Sequence, residues 1–294
     1  MTLDEIEWLQ VENTTKCNAW CPGCARNQNG HGLTPGLVVE DLHIDRFKQI
    51  LDSLPSIKTV QFCGTFGDTM AATQVIDHIM LAKQYAKKLQ IHTHGGLRNV
   101  KWWKQLANIL QDIDHDVWFG LDGLAGVHEI YRQATNFDKA ITNAQAFIDA
   151  GGQATWQFIP FAHNEHQIKD CLKLSQQLGF KKFKLVTSVR EKFTAKHWKS
   201  GELIEFRPWS RSKETNPYTI IPIRNKLETS HCRHLVSKSL YLNANGNISH
   251  CCYLNHSRQY NELLEINDMK AEIDSGPDPK CLHFCGNGVT LGQI

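Results

Sequence analysis

A cysteine-rich segment lies directly after the first predicted strand, and its sequence is Cys17-Asn18-Ala19-Trp20-Cys21-Pro22-Gly23-Cys24. It places three cysteines within eight residues, in a C-x3-C-x2-C pattern. Three thiolates at this spacing can hold three irons of a [4Fe–4S] cluster and leave the fourth iron open. The alternative is a structural zinc held by three cysteines and one histidine, His31 being the nearest candidate. Zinc sites usually pair their ligands as C-x2-C, so the spacing favours the cluster.

Around this run, short β-like segments alternate with helical patterns of apolar residues. Six strands are predicted, at 8–12, 59–62, 89–93, 117–121, 155–159 and 183–186. Regular alternation of this kind implies parallel strands joined by right-handed crossovers. The prediction is an α/β fold, either a partial (β/α)6 TIM-like barrel or a doubly wound sheet. In both folds the chemistry belongs at the carboxyl ends of the strands.

Composition narrows the class of protein. The chain has 294 residues, of which 41% are hydrophobic and 21% charged, which excludes a disordered chain, a collagen and a coiled coil. No stretch approaches the roughly 20 apolar residues of a membrane span, and the acidic start at 1–7 lacks the features of a signal peptide. Ten cysteines in clusters are typical of a metal protein in a reducing compartment rather than of a disulfide framework. We therefore expect a cytoplasmic protein without a membrane partner.

The cysteine run after the first strand of a β/α part-barrel resembles the radical S-adenosylmethionine (radical SAM) enzymes. The resemblance covers about residues 7 to 190. It implies that Cys17, Cys21 and Cys24 hold a [4Fe–4S] cluster whose open iron binds S-adenosylmethionine. One electron then cleaves the sulfonium, and a 5′-deoxyadenosyl radical abstracts a substrate hydrogen. The family usually has an aromatic residue immediately before the third cysteine, whereas this chain has Gly23.

The same resemblance implies cofactor contacts after the later strands. The family has a Gly-Gly-Glu-like segment after strand two that binds the methionyl ammonium, and Gly64, Gly67 and Asp68 occupy that position here. A turn with an N-capping aspartate is the alternative for this segment. Further cofactor- or substrate-facing positions are expected at Thr93 and Asp122. Gln157 lies near the same rim on the fifth strand, where a structural role is the alternative to a cofactor contact. An ordinary Asp-Gly turn is the alternative for Asp122.

A second domain is predicted over 191–294, after a barrel domain over 1–190. It contains a hairpin turning at Asn245-Gly246. Cys232 and Cys251 have the C-x13-G-x4-C spacing that resembles the twitch and SPASM extensions of radical SAM enzymes. With Cys281 and Cys285 they imply an auxiliary [4Fe–4S] cluster, and Cys252 is a possible alternative ligand. A structural zinc held by the same four cysteines is the alternative.

We thus expect a radical SAM enzyme with two [4Fe–4S] clusters and S-adenosylmethionine. Relatives with such extensions modify peptides or oxidise small alcohols, so the substrate is expected to be a peptide or small molecule. The alternative is a zinc-stapled nucleic-acid-binding protein without catalysis. Residues 181–226 carry twelve Lys or Arg and four Glu, a net charge of +8. This charge favours an acidic partner such as a flavodoxin- or ferredoxin-like reductant, a phosphate-bearing substrate or a nucleic acid, and a solvated linker is the alternative.

Overall fold

A computed structural model of the chain describes residues 2–186, 192–210, 219–221 and 237–249. Within these residues the strands are β1 Trp8–Val11, β2 Thr59–Phe62, β3 Lys88–Thr93, β4 Asp114–Gly120, β5 Ala154–Phe158, β6 Lys182–Val186, β7 Phe193–Lys196, β8 Leu203–Phe206, β9 Thr219–Ile221, β10 Ser239–Leu242 and β11 Ile248–Ser249. The helices are α1 Ile44–Asp52, α2 Val75–Tyr85, α3 Val100–Leu110, α4 His128–Tyr131, α5 Phe137–Asp149 and α6 Ile168–Gln177.

One large sheet organises the described part of the chain. Strands β1 to β6 pair in chain order, and every pairing between them is parallel. Strand β9 extends the sheet beside β6, also in parallel. A crossover segment with one or more helices separates each pair of successive strands from β1 to β6. The predicted partial (β/α) barrel is therefore confirmed, with all six predicted strands present.

Strand β10 extends the other edge of the sheet. It pairs in parallel with β1, so that Gln10 lies opposite Tyr241, and β11 then pairs antiparallel to β10. The predicted hairpin is present, although its loop spans 243–247 rather than two residues. Gly246 adopts a φ of 83°, a left-handed conformation that glycine tolerates at little cost. The division into domains at residues 190 and 191 stays a prediction.

The helices cover one face of the sheet because their apolar residues recur at helical spacing. In α3 the buried residues are Trp103, Leu106, Ala107 and Leu110, all on one side. The side chain of Asn99 begins this helix by accepting a hydrogen bond from the N–H of Trp102 at 3.0 Å. Strand residues such as Leu9, Val60, Ile91, Phe119 and Trp156 join the helices in one apolar core.

The opposite face of the sheet is polar. Because side chains alternate along a strand, the neighbours of the core residues point away from the helices. These neighbours are Gln10, Gln61, His92, Trp118, Gln157, Lys184 and Tyr241. The interior of the part-barrel therefore carries hydrogen-bonding groups instead of an apolar filling.

Strands β7 and β8 form a separate antiparallel hairpin that the sequence pattern does not predict. Phe193 and Phe206 stack across it, with ring centroids 5.1 Å apart. Its buried residues pack in a small apolar cluster with Tyr131, Phe161 and the cysteine run. None of the described helices is long and apolar enough to span a membrane.

Candidate functional site

The three cysteines of the run lie together at the carboxyl end of β1. Cys21 is buried, and Cys17 and Cys24 are partly buried in the same apolar cluster. The turn between the last two is closed by a 3.1 Å hydrogen bond from the Cys24 N–H to the Cys21 carbonyl. Backbone N–H groups point at two of the sulfurs, from Ala19 to Cys17 Sγ and from Arg26 to Cys24 Sγ, both at 3.4 Å. N–H donors favour the thiolate form that metal ligation requires.

Burial disfavours ionisation of the thiols in the cysteine run. Burial raises the pKa of the Cys17 thiol, and the proximity of Asp68, Cys21 and Cys24 raises it further. Burial likewise raises the pKa of Cys21 to about 11. Thiols that oppose each other's ionisation in this way stay protonated unless a cation between them favours the thiolate form. Within the described residues no three His, Cys, Asp or Glu side chains form a site for a single metal ion. A four-iron cluster does not need one, since each thiolate reaches its own iron.

Arg132 lies against the second cysteine of the run. Burial raises the pKa of the Cys21 thiol, and the charge of the Arg132 guanidinium, together with its hydrogen bond to Cys21, opposes that rise. Arg132 Nε also donates to Asp122 Oδ2 at 2.6 Å. The guanidinium occupies the space beside Gly120 at the end of β4, because a Cβ there would lie 2.7 Å from Arg132 Nη2. Asp122 and Gly120 thus hold a buried cation next to Cys21.

Glu12 organises the loop after β2. This buried carboxylate follows β1 directly and accepts hydrogen bonds from the backbone N–H groups of Thr65, Phe66 and Gly67 at 2.8 to 3.2 Å. The Tyr241 hydroxyl donates to the same carboxylate. Burial raises the pKa of Glu12 to about 7, although these four donors oppose the rise. Sequence reasoning missed Glu12, and an acidic residue at the carboxyl end of a predicted strand was the signal available.

The loop from Gly64 to Gly67 approaches the cysteine run closely. Gly64 has a φ of 54°, and a Cβ on Gly67 would collide with the Thr14 carbonyl and lie 2.9 Å from the Lys16 carbonyl. The Thr65 carbonyl lies 3.7 Å from Cys24 Sγ. Because the amides of this loop point at Glu12, its carbonyl oxygens are the groups left to contact a cationic ligand.

Asp68 lies buried between three donors. It accepts from the Met70 N–H at 2.9 Å, from the Thr93 hydroxyl at 3.0 Å and from the His94 N–H at 2.7 Å. The first of these bonds caps a short 3-10 helix over Thr69–Ala71. The carboxylate therefore joins the ends of β2 and β3, with Thr93 as its partner.

Asp122 lies fully buried after β4. Its Oδ1 accepts from the Ile159 N–H at 2.7 Å, while its Oδ2 is paired with Arg132. The Asn164 amide donates to the Asp122 carbonyl at 3.0 Å. Burial raises the pKa of Asp122, while the charge of Arg132 opposes the rise. This carboxylate joins the ends of β4 and β5 and positions Arg132.

Gln157 lies apart from these networks. It is a partly buried residue of the polar face on β5, in register with Gly120 on β4 and Lys184 on β6. Cys232, Cys251, Cys252, Cys281 and Cys285 lie outside the described residues. Cys171, by contrast, is fully buried in the main apolar core on α6.

The chain is similar in structure to proteins crystallised with S-adenosylmethionine. Streptococcus suis SuiB bound to S-adenosylmethionine has a TM-score of 0.65 and 12% identity, with 97% of this chain and 73% of that chain covered. SuiB bound to precursor peptide SuiA has a TM-score of 0.63 and 12% identity, with coverage of 97% and 72%. Histidine-tagged anSMEcpe with bound AdoMet has a TM-score of 0.51 and 16% identity, with coverage of 65% and 52%.

The fold is that of the radical S-adenosylmethionine enzymes. The sequence resemblance is thereby confirmed at the level of the fold. Neither a family model nor a curated protein sequence matches the chain.

Proposed function

We propose that this chain is a radical S-adenosylmethionine enzyme whose [4Fe–4S] cluster is held by Cys17, Cys21 and Cys24. The observation that carries the proposal is the position of these thiols. They lie together in the loop after β1, at the carboxyl end of a part-barrel sheet, with backbone N–H groups directed at two of the sulfurs. Such a loop is where this architecture places its chemistry.

When bound, the cluster would supply the electron that cleaves S-adenosylmethionine to the 5′-deoxyadenosyl radical. The residues of the protein hold the cluster and orient its ligands. Ala19 and Arg26 donate backbone N–H groups to the sulfurs, and Arg132 adds a cationic donor at Cys21. Apolar residues of the hairpin β7–β8 pack in the same cluster as the cysteine run.

The cofactor is proposed to bind along the ends of β2 to β5. Gly64 and Gly67 allow a ligand close to the backbone, and the carbonyl oxygens of their loop suit the methionyl ammonium. Asp68, Thr93 and Asp122 lie at the same rim, where their buried hydrogen bonds keep the loops in place. Gln157 lies on the polar face below the rim.

An auxiliary [4Fe–4S] cluster is proposed on Cys232, Cys251, Cys281 and Cys285. Strands β10 and β11 support this proposal, since their hairpin ends at Ser249, two residues before Cys251 in the sequence. Four thiolates leave no open iron, so this cluster would transfer electrons or stabilise the fold. An auxiliary domain with ligands for a single cluster is the feature on which we propose the twitch variant for this enzyme.

The proposed substrate is a peptide or a small molecule. The structural likeness to SuiB, which was crystallised with its precursor peptide SuiA, supports a peptide. A flavodoxin- or ferredoxin-like protein is the proposed electron donor. The reaction class is oxidation or modification of that substrate by hydrogen abstraction.

The test is formation of 5′-deoxyadenosine by protein reconstituted with iron and sulfide and then reduced. Wild-type protein should cleave S-adenosylmethionine, whereas the Cys24→Ala variant should lose this activity because one iron has no ligand. Cys171→Ala is the matched control, since it removes a buried thiol in α6 and should retain the activity. Wild-type protein that contains only zinc after reconstitution, or a Cys24→Ala variant as active as wild type, would contradict the proposal.

A further inference from the structure

The end of the hairpin β7–β8 exposes large apolar side chains beside lysines. Trp198 is 49% exposed and Leu203 is 68% exposed, although tryptophan side chains in folded proteins are mostly buried. Lys196 lies opposite Leu203 in the hairpin register, and Lys196 and Lys199 flank Trp198 in the sequence. We call these four residues the hairpin tip. Tryptophan is among the residues that contribute most to binding at protein interfaces, so the hairpin tip has the composition of an interaction surface.

The hairpin carries a positive charge at its tip. Lys192 and Arg207, farther along the two strands, both pair with Glu205 at 2.6 Å. The exposed lysines of the hairpin tip form no ion pair with any described residue. One carboxylate, Glu202, lies in the loop between the strands. Residues 192–207 thus contain four Lys or Arg and two Glu, a net charge of +2, which favours an acidic partner.

Hydrogen bonds connect the hairpin tip to the cysteine run. The buried side chain of Gln133 accepts from the Trp198 N–H at 2.8 Å, and the Gln133 carbonyl accepts from the Trp20 N–H at 2.7 Å. Trp20 immediately precedes Cys21 in the sequence. The exposed Trp198 is therefore connected, through the one residue Gln133, to the segment that carries the proposed cluster ligands.

The inward face of the hairpin packs on the same segment. Ala195 and Phe206 are buried in one apolar cluster with Cys21. The backbone of β7 also lies against Gly30, where an added Cβ would collide with the Lys196 carbonyl. A surface that is held in place by such packing loses little freedom when a partner binds. A protein bound at the hairpin tip would lie beside the cysteine run.

We propose that the hairpin tip is the docking surface for an acidic, flavodoxin-like electron donor. The inference rests on the proposed function, to which it adds the place where the donor binds. In the step that it serves, the anionic flavin hydroquinone of the donor loses one electron and becomes the neutral semiquinone, and that electron passes to the proposed cluster. The end of a hairpin offers only a small interface, which suits the small interfaces of transient redox complexes.

The test is equilibrium binding of oxidised flavodoxin to the reconstituted full-length chain, measured by surface plasmon resonance at low and at moderate salt. Wild-type protein should bind at low salt, and its affinity should fall about tenfold or more at moderate salt because exposed charges hold the partner. The double variant Lys196→Glu, Lys199→Glu should weaken binding at low salt roughly 10- to 100-fold, since attraction becomes repulsion. Trp198→Ala should weaken it roughly tenfold at either salt concentration.

The matched control makes the same charge change elsewhere. Lys101→Glu, Lys104→Glu alters two exposed lysines of α3 and should bind flavodoxin within about twofold of wild type. Stopped-flow absorbance then compares reduction by flavodoxin hydroquinone with reduction by dithionite, a small molecule that needs no docking surface. The hairpin double variant should be reduced about tenfold or more slowly by flavodoxin and at the wild-type rate by dithionite.

Unchanged flavodoxin binding in the folded double variant, an equal loss in the α3 control, or equally slow reduction by dithionite would each overturn the inference. Tighter binding of a single-stranded oligonucleotide than of flavodoxin would overturn it too and would assign the surface to a nucleic acid. A chain that holds no cluster would be reduced by neither reagent. That result contradicts the proposed function and differs from a loss of docking, in which dithionite still reduces the protein.

Discussion

The hydroxyl of Tyr241 donates a 2.5 Å hydrogen bond to Oε2 of Glu12, a residue 229 positions earlier in the chain. Glu12 follows β1 and Tyr241 lies on β10, so this bond connects the first strand of the sheet with the last parallel one among the described residues. The same carboxylate holds three backbone amides of the loop after β2. The late segment of the chain is thus connected through one buried side chain to the loop that borders Cys24.

Glu12 and Tyr241 should be energetically coupled. Tyr241→Phe removes one of four donors to Glu12 and should lower the free energy of unfolding by about 1 to 2 kcal/mol. Glu12→Gln should cost more, because its amide N–H₂ would face backbone N–H groups with no acceptor between them. The double variant should lose less stability than the sum of the two single variants. Urea unfolding monitored by circular dichroism measures this, and strict additivity would contradict the coupling.

Gly67 should tolerate no side chain. A Cβ at this position meets the backbone carbonyls of Thr14 and Lys16, which cannot move without shifting the start of the cysteine run. Gly67→Ala should therefore lower the free energy of unfolding by about 2 kcal/mol or more. The control is Gly36→Ala, whose Cβ meets nothing but whose φ of 79° alone should cost about 1 to 2 kcal/mol. A Gly67→Ala variant as stable as wild type would show that the close approach at Gly67 does not matter.

Arg132 should set the ease of reducing the proposed cluster. A cationic donor at a ligating sulfur favours the more negative, reduced state, so Arg132→Met should lower the midpoint potential. Arg132→Lys keeps the charge and should lower it less. Arg207→Met is the control, since Arg207 pairs with Glu205 on the surface of β8. Redox titration followed by electron paramagnetic resonance measures the potential, and an unchanged value in Arg132→Met at full iron content would refute this role.

His92 should make the fold sensitive to acid. Burial lowers its pKa to about 4, with the Lys184 charge acting in the same direction and Asp116 opposing both. The unfolded chain takes up a proton near pH 6.5, whereas folded His92 stays neutral until about pH 4. Its contribution to stability is therefore complete above pH 6.5 and is lost as the pH falls toward 4, by about 3 kcal/mol.

The variant His92→Gln isolates this effect. It retains an acceptor for the Gln61 and Gln90 amides but does not titrate. Wild type should lose stability relative to His92→Gln as the pH falls from 6.5 to 4, measured by urea unfolding at each pH. A difference that stays constant over that range would show that His92 titrates normally.

The iron content of the protein tests the proposed auxiliary cluster. Wild-type protein should hold about eight irons per chain, and a Cys17→Ala, Cys21→Ala, Cys24→Ala triple variant about four. A folded triple variant with almost no iron would show that Cys232, Cys251, Cys281 and Cys285 hold no cluster. Cys281→Ala should still form 5′-deoxyadenosine, and loss of product in that variant would assign electron transfer to the second cluster.

Local sequence predicted strands β1 to β6, the helices α1, α2, α3, α5 and α6 between them, and the position of the cysteine run, but not the hairpin β7–β8. Strand β2 is an example: Val60 packs in the core and Gln61 faces the interior because successive side chains leave a strand on opposite faces. The hydrophobic periodicity of a strand or helix and the spacing of the cysteines depend only on residues close together in the chain. Strand–helix alternation likewise places the loops after β1 and β2 at one end of the sheet, since parallel strands all end on the same side.

Contacts between groups far apart in the chain depend on the tertiary structure. Strand β10 pairs with β1, Tyr241 reaches Glu12, and Arg132 reaches Cys21. The tertiary structure also decided that Asp68 and Asp122 are buried among donors and that one polar atom each of Trp118 and Gln61 has no partner among the described residues. Contacts of this kind depend on how strands far apart in the chain come into register and on which polar atoms the fold removes from water. Neither the register of distant strands nor the burial of a polar atom can be read from the local periodicity of the sequence, so residue spacing could not predict these contacts.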